Sequence, residues 1–284
     1  MQLITWNVQW CRGCDGRVDP ARIVRVAREM ADFDVLCLQE VARNFPDLPG
    51  SQGEDQFAAL ENAFSGYTAI EGIATDVQGV NGTRRQFGNL ILTRLPVRQA
   101  FRHLLPWPAD ATVPSMQRCA VEVVLDLPSG PLRVTTTHLE YYSAKQRAAQ
   151  IDALRALQHE AASHAADPVS RERAGGPFQK QPRPVAAILT ADFNFRPEDP
   201  LYERLQAPIG HGIPAYRDTW STRHPGRPHA PTLGIFDKGQ WPGPSFACDF
   251  IFATEDLSHR VEAVSVDAKT DASDHQPVLL TLAD

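Results

Sequence analysis

The sequence predicts an α+β fold with two largely antiparallel, mixed β-sheets, organised as one domain over residues 1–284. Three observations carry this. Short apolar, β-prone runs outnumber helix-patterned stretches, many neighbouring runs are joined by short turns, and no repeat, linker or compositional break divides the chain.

Taken in order, Gln2–Val8 alternates and reads as a strand. Asp19-Pro20 supplies an N-cap and a first-turn proline for the helical pattern ARIVRVAREMADF. Asp34–Leu38 (DVLCL) is a short apolar run expected to be a buried strand. Asp55–Phe64 reads as a helix and Tyr67–Glu71 as a strand. Residues 76–86 are polar and contain glycine, which predicts a hairpin tip. Asn89–Thr93, Cys119–Leu127 and Leu132–His138 read as strands. Ala144–Ala162 reads as a helix with an apolar stripe through Ala148, Ile151, Leu154 and Leu157. Residues 163–184 are expected to form a loop of disorder-prone composition. Val185–Thr190 is a strand, residues 221–245 are a long Pro-, Gly- and His-rich loop, and Asp249–Ala253, Arg260–Val266 and Pro277–Leu282 are the closing strands.

With 43% hydrophobic residues, the chain can bury one large core or two small ones. A formal net charge of −6 disfavours tight, non-specific nucleic-acid binding, without excluding a local basic patch. Five cysteines, at 11, 14, 37, 119 and 248, are too few and too scattered for a disulfide scaffold. Cys11 and Cys14 have CxxC spacing but no second pair to complete a zinc site and no thioredoxin-like context, so reduced thiols are expected. The start, MQLITWNVQW, lacks a basic segment followed by a long apolar one, and no run approaches the roughly 18 apolar residues of a membrane span. The expectation is a soluble, cytoplasmic protein.

Polar residues recur where apolar runs end. Asn7 stands in ITWNVQW, Glu40 ends VLCLQEV, His138 ends LRVTTTHL, and Asp192 and Asn194 follow AAILT. Asp249 opens DFIFA, and Asp274-His275 precede PVLL. Any one of them reads equally as a turn, a cap or a hydrogen-bonded histidine. As a set they suit one chemistry if the strand ends converge. Carboxylate and amide oxygens suit a hard cation such as Mg²⁺ or Mn²⁺. Histidines donate to phosphate oxygens, and an aspartate orients a water. There is no Walker-type glycine loop, HExxH or GxSxG.

The ordered motifs TWN, LQE, GNLILTRLP, THL, ADFN, DFIF and SDH, running from Asn7 to His275, resemble the endonuclease/exonuclease/phosphatase superfamily. That is the fold class of DNase I, exonuclease III-type nucleases, sphingomyelinases and inositol polyphosphate 5-phosphatases. The resemblance implies a four-layer αββα sandwich with its site at one end of the two sheets. It implies that Asn7 and Glu40 bind the divalent metal, with Asp274 at or near it. It implies that Asp192 activates the attacking water and that Asn194 holds that water or a phosphate oxygen. His275 would contact the scissile phosphate with Asp249 fixing its ring, and His138 would contact the phosphate or assist the leaving group. One departure is Ala247-Cys248 before Asp249, where relatives often carry an arginine, which puts substrate contacts there in doubt.

The resemblance fixes the bond type better than the molecule. The expected activity is a Mg²⁺-dependent phosphohydrolase acting on a phosphodiester or phosphomonoester, with a small or single-stranded substrate favoured by the acidic charge. The alternatives are a DNA-repair endonuclease or exonuclease of the same fold, processing abasic sites or 3′ ends, and a non-catalytic binding module. The absence of a membrane segment weighs against a sphingomyelinase. The 221–245 loop would cap a pocket over a small ester, grip a strand end, or lie as solvated surface. Arg118 reads as a phosphate contact or as the partner of an acid on the sheet, and Arg147 as structural. Tyr141, just after His138, is expected to line the pocket or to pack.

Overall fold

The computed structural model of the protein describes residues 1–167 and 176–283. Among the described residues, twelve strands form two six-stranded sheets. In the first, β11 (Val261–Val266), β12 (Val278–Leu282), β1 (Gln2–Asn7), β2 (Val35–Arg43), β4 (Arg84–Thr93) and β3 (Thr68–Gln78) lie side by side in that order. In the second the order is β5 (Val97–Leu104), β6 (Cys119–Leu127), β7 (Gly130–His138), β8 (Ala187–Asp192), β10 (Asp249–Thr254) and β9 (Tyr216–Asp218). Each sheet has one parallel pair, β1 with β2 and β7 with β8, and the other neighbours are antiparallel.

Strand alternation explains the layering. Leu3 and Ile4 are adjacent yet enter different cores, because successive side chains leave opposite faces of a strand. Leu3, Val35 and Ile91 from the first sheet meet Val121, Val134 and Ile188 from the second in a central core. Ile4, Leu36 and Leu38 face the helices α1 (Pro20–Met30) and α2 (Gln56–Ala63) through Ile23, Ala27, Phe57 and Leu60. Leu189 and Phe252 face α3 (Ala144–Ala166) and α4 (Pro200–Gln206) through Ile151, Leu154 and Leu205. A short α5 (Thr219–Arg223) follows β9. The result is the αββα sandwich.

Several sequence expectations are corrected here. α3 runs to Ala166, four residues past the expected end, and residues 168–175 of the expected 163–184 loop lie outside the described residues. Its buried face keeps only half of the expected stripe: Ile151 and Leu154 are buried together with Gln146, Gln150, Gln158 and Ala161, while Ala148 and Leu157 are part-exposed. Each of these glutamines donates from Nε2 to a backbone carbonyl, of Pro108, Pro106 and Val185 respectively, and Gln150 Oε1 accepts from Glu140 N–H at 2.9 Å. β5, β9 and α4 were not anticipated. The expected 221–245 loop begins inside α5, which ends at Arg223. All five cysteines are free thiols. Among the described residues no helix is long and apolar enough to cross a membrane.

Candidate active site

The parallel pairs place their C-terminal ends at the same rim of the sandwich. Asn7 ends β1, His138 ends β7, and Asp192 ends β8 directly opposite His138 in register. Asp249 opens the antiparallel β10 opposite Asp192. Asp274 and His275 lie just before β12.

Two of these side chains are aimed by unusual backbone. Glu40 sits where the β2–β4 register shifts between Leu38 and Val41, with a φ of 59°. A bulge of this kind re-aims a side chain, and here it swings Glu40 toward Asn7. Asn194 has a φ of 53°, a region that asparagine tolerates better than most residues. Its N–H donates to Asp192 Oδ1 at 3.0 Å, closing a turn directly after the strand.

The cluster centres on Asp192. Its Oδ2 accepts from Asn7 Nδ2 at 3.0 Å and lies 3.4 Å from His138 Nε2 and 3.7 Å from His275 Nε2. Asn7 Nδ2 also donates to Glu40 Oε1 at 3.1 Å, while Asn7 Oδ1 accepts from Gln9 N–H at 3.0 Å. As placed, Asn7 turns its nitrogen to the cluster, so a ligand role for its oxygen needs the amide reversed. Asn194 Nδ2 donates to His138 Nε2 at 2.9 Å, which leaves the proton of that ring on Nδ1. Among the described residues His138 Nδ1 is buried without a hydrogen-bond partner, 3.7 Å from Glu40 Oε1.

His275 Nδ1 donates to Asp249 Oδ2 at 2.8 Å. The same oxygen accepts from Thr232 Oγ1 at 2.6 Å and from Cys248 Sγ at 3.4 Å. Asp274 is held by three donors: Gln9 Nε2 at 2.9 Å and Trp241 Nε1 at 3.1 Å on Oδ2, and Ser273 Oγ at 3.3 Å on Oδ1. Gln9 reaches it from a tight turn in which Gln9, Trp10 and Cys11 have φ of 44°, 44° and 58°.

The electrostatics follow from burial. Desolvation, with Asp274 nearby, pushes the Glu40 carboxyl up to about 7. Desolvation also pushes Asp192 up to about 6, against the pull of His275. Burial and the charges of Arg118 and His275 hold His138 well below the ordinary histidine value, so the ring is neutral. For His275 burial acts downward too, but Asp249, Asp192 and Asp274 outweigh it and hold the ring well above its ordinary value, as an imidazolium.

Among the described residues, two sets of donor atoms gather within 4.8 Å: Glu40, His138 and Asp192; and Asp192, Cys248, Asp249 and His275. The oxygen-rich first set, whose acids repel one another in a buried setting, fits a hard divalent cation. The unpartnered Nδ1–H of His138 beside it fits an anion.

Of the two readings of Arg118, the structure shows pairing with an acid. It is buried and its Nε donates to the buried Glu140 at 3.2 Å, and it does not line the cavity beside the cluster. Its influence on the site is its charge on His138. Arg147 does hold backbone, donating to the carbonyls of Glu140 and Tyr141, but it also lines that cavity. The cavity has a volume of about 990 Å³ and shares Asn194 and Cys248 with the cluster. Tyr141 lies at its wall, 44% exposed, and Trp241 and Phe246 face it from the long loop after α5. Gln9 and Thr232 were not anticipated at all. A glutamine in a turn and a threonine in a loop carry no signal until the backbone brings them to the strand ends.

A family profile described as the Endonuclease/Exonuclease/phosphatase family matches residues 4–275. Among solved structures, one titled endonuclease/exonuclease/phosphatase, from Beutenbergia cavernae DSM 12333, is 24% identical with a TM-score of 0.72, covering 100% of this chain and 72% of that one. A mannosyl-6-phosphatase from Bacteroides thetaiotaomicron VPI-5482 is 16% identical with a TM-score of 0.64, and each chain is covered in full at 100%. A truncated TDP2 from Caenorhabditis elegans is 16% identical with a TM-score of 0.62, covering 100% of this chain and 97% of that one. No curated protein sequence matches the chain.

Proposed function

Because the chain belongs to the endonuclease/exonuclease/phosphatase family, whose members hydrolyse phosphate esters, we propose that it uses Mg²⁺ or Mn²⁺ to hydrolyse a small phosphate ester by attack of an activated water. The observation that carries the reading is the setting of Asp192. It is a buried carboxylate with a pKa of about 6, faced by an amide donor, a neutral imidazole and an imidazolium within 3.7 Å. A base in that range extracts a proton from water near neutral pH.

In this reading Asp192 orients and deprotonates the water, and Asn194 steadies it. His275, protonated and fixed by Asp249, donates from Nε2 to a phosphate oxygen whose charge grows in the transition state. His138 donates to the phosphate from its unpartnered Nδ1–H or assists the leaving oxygen. The water oxygen forms the new bond to phosphorus, the phosphorus–alkoxide bond breaks, and the leaving oxygen takes up a proton. Glu40, with Asn7 and Asp274 beside it, is the place for the cation, which when bound offsets phosphate charge and lowers the pKa of water. The size of the ester is argued from the adjoining cavity, which at about 990 Å³ suits a small molecule, and from the net charge of −6. The mannosyl-6-phosphatase of the same fold lends support to a monoester.

The test is hydrolysis, with Mg²⁺, Mn²⁺ or EDTA, of a chromogenic diester, a phosphomonoester, single-stranded DNA and an abasic duplex. Metal-dependent turnover of the small esters is expected, falling about 10²–10⁴-fold in Asp192→Asn. Cleavage confined to DNA would make the protein a nuclease instead.

A further inference from the structure

We propose that the cavity beside the acid cluster is a sugar subsite, and that the substrate is a phosphorylated monosaccharide or small glycoside whose ring rests against Trp241. This deepens the phosphohydrolase reading and rests on it. Because Asn194 and Cys248 border both cluster and cavity, a phosphate held at Asp192 directs its alcohol portion into the cavity.

The aromatic geometry selects among ring types. Tyr141 and Trp241 have centroids 6.1 Å apart at 81°, and Trp241 and Phe246 are 6.2 Å apart at 79°. Tyr142 meets Tyr141 at 82°. None of these pairs presents two parallel faces, so they form no slot to sandwich a planar base. Perpendicular rings form a corner instead. A corner suits a thick, puckered ring, whose C–H bonds meet the electron-rich face of an aromatic side chain.

The charges point the same way. Arg147 and Arg196 are matched in the cavity by Glu198 and Asp199, so it offers no net positive charge to a second phosphate or a polyanion. It offers donors and acceptors together, which hydroxyl groups use because each both donates and accepts. Arg196 is stacked on Phe246, its guanidinium carbon 4.0 Å from the ring centroid, and Arg147 Nε is buried with no hydrogen-bond partner among the described residues.

Trp241 links the two halves. Its Nε1–H donates to Asp274, and its backbone N–H donates to Asp237 O at 3.0 Å, so the indole is fixed before substrate arrives. It is a specificity-determining residue through its ring and a positioning residue through its N–H.

The test compares kcat/KM for a hexose 6-phosphate, glycerol phosphate and a nucleoside 5′-monophosphate in the wild type, Trp241→Phe and Trp241→Ala. The readout is the hexose-to-glycerol ratio rather than either rate. The wild type is expected to favour the hexose ester by about tenfold, mostly through KM. Trp241→Ala should erase that preference, whereas Trp241→Phe keeps the ring and should retain most of it. Hexose 6-phosphate should also change the tryptophan fluorescence of inactive Asp192→Asn, and Trp241→Phe should remove that change. A ratio of about one in the wild type, a higher kcat/KM for the nucleotide, or an unchanged ratio in Trp241→Ala would overturn the subsite while leaving the hydrolase intact. No turnover of any ester would instead overturn the hydrolase reading, and this inference with it.

Discussion

Asp249 has one oxygen shared by His275 Nδ1, Thr232 Oγ1 and Cys248 Sγ, and a second, Oδ1, that is buried with no hydrogen-bond partner among the described residues. The first oxygen holds the His275 ring in orientation and charge. Asp249→Asn is therefore expected to lower turnover about 10²-fold or more, with little further loss in the double variant with His275→Ala, as steady-state rates would show. A pH dependence follows from the raised carboxyls. Glu40 and Asp192 titrate at about 7 and about 6 in the metal-free protein, and both must be ionised to attract a cation. Mg²⁺ binding should weaken as pH falls through that interval and release protons within it, which calorimetry in two buffers measures. The sign for stability is opposite. An acid whose pKa is raised by folding holds its proton more tightly in the native state, so Glu40 and Asp192 each withdraw stability from the metal-free fold as pH rises from about 4 through about 7. The polar residues at strand ends were legible because each interrupts an apolar run. Gln9 and Trp241 were less so, because a left-handed turn and a loop deliver them, and neither leaves a period in the sequence.

Elements were legible where periodicity and capping agreed. Asp19 and Asp55 cap α1 and α2 as their positions suggest, accepting from Arg22 N–H and Ala58 N–H. β5 was hidden because it is an edge strand in which Arg98, Gln99, Arg102 and His103 dilute the alternation. β9 has three residues, too few for any pattern. The α3 stripe misled because glutamine counts as polar in a pattern, yet here it buries an amide against loop carbonyls. The same helix takes part in a buried ion network. Arg133 on β7 is 1% exposed, and its Nη1 donates to Glu122 on β6 at 2.9 Å, its Nε to Pro184 O at 2.6 Å, and its Nη2 to Gln158 on α3. Arg133→Ala removes one of the two buried guanidinium groups that face Glu122, the other being Arg183 with Nε 3.3 Å from Oε1, and should cost about 3 kcal/mol by denaturant unfolding.

At the scale of the molecule, the site is a joint between the sheets. Beneath it Gln39 Nε2 donates to Thr5 Oγ1 at 3.1 Å in its own sheet and to Thr136 Oγ1 at 2.8 Å in the other. A cation at the rim would relieve repulsion among acids drawn from both sheets. Mg²⁺ or Mn²⁺ at about 100 times Kd should therefore raise stability by about 2.7 kcal/mol, seen as a higher Tm that EDTA reverses and that Glu40→Gln largely removes.

The placement of β12 between β11 and β1 also sets a clock. Asn7 and His275 are 268 residues apart in sequence, yet Trp6 Nε1 donates to His275 O at 2.9 Å and Gln9 grips Asp274. On a ribosome adding about 5–20 residues per second, the first strand waits on the order of 15–50 s for its antiparallel neighbour. Throughout that wait a nascent chain carries Asn7, Glu40, His138 and then Asp192 with no His275 to join them, so the cluster is assembled only after the last of its members has left the ribosome.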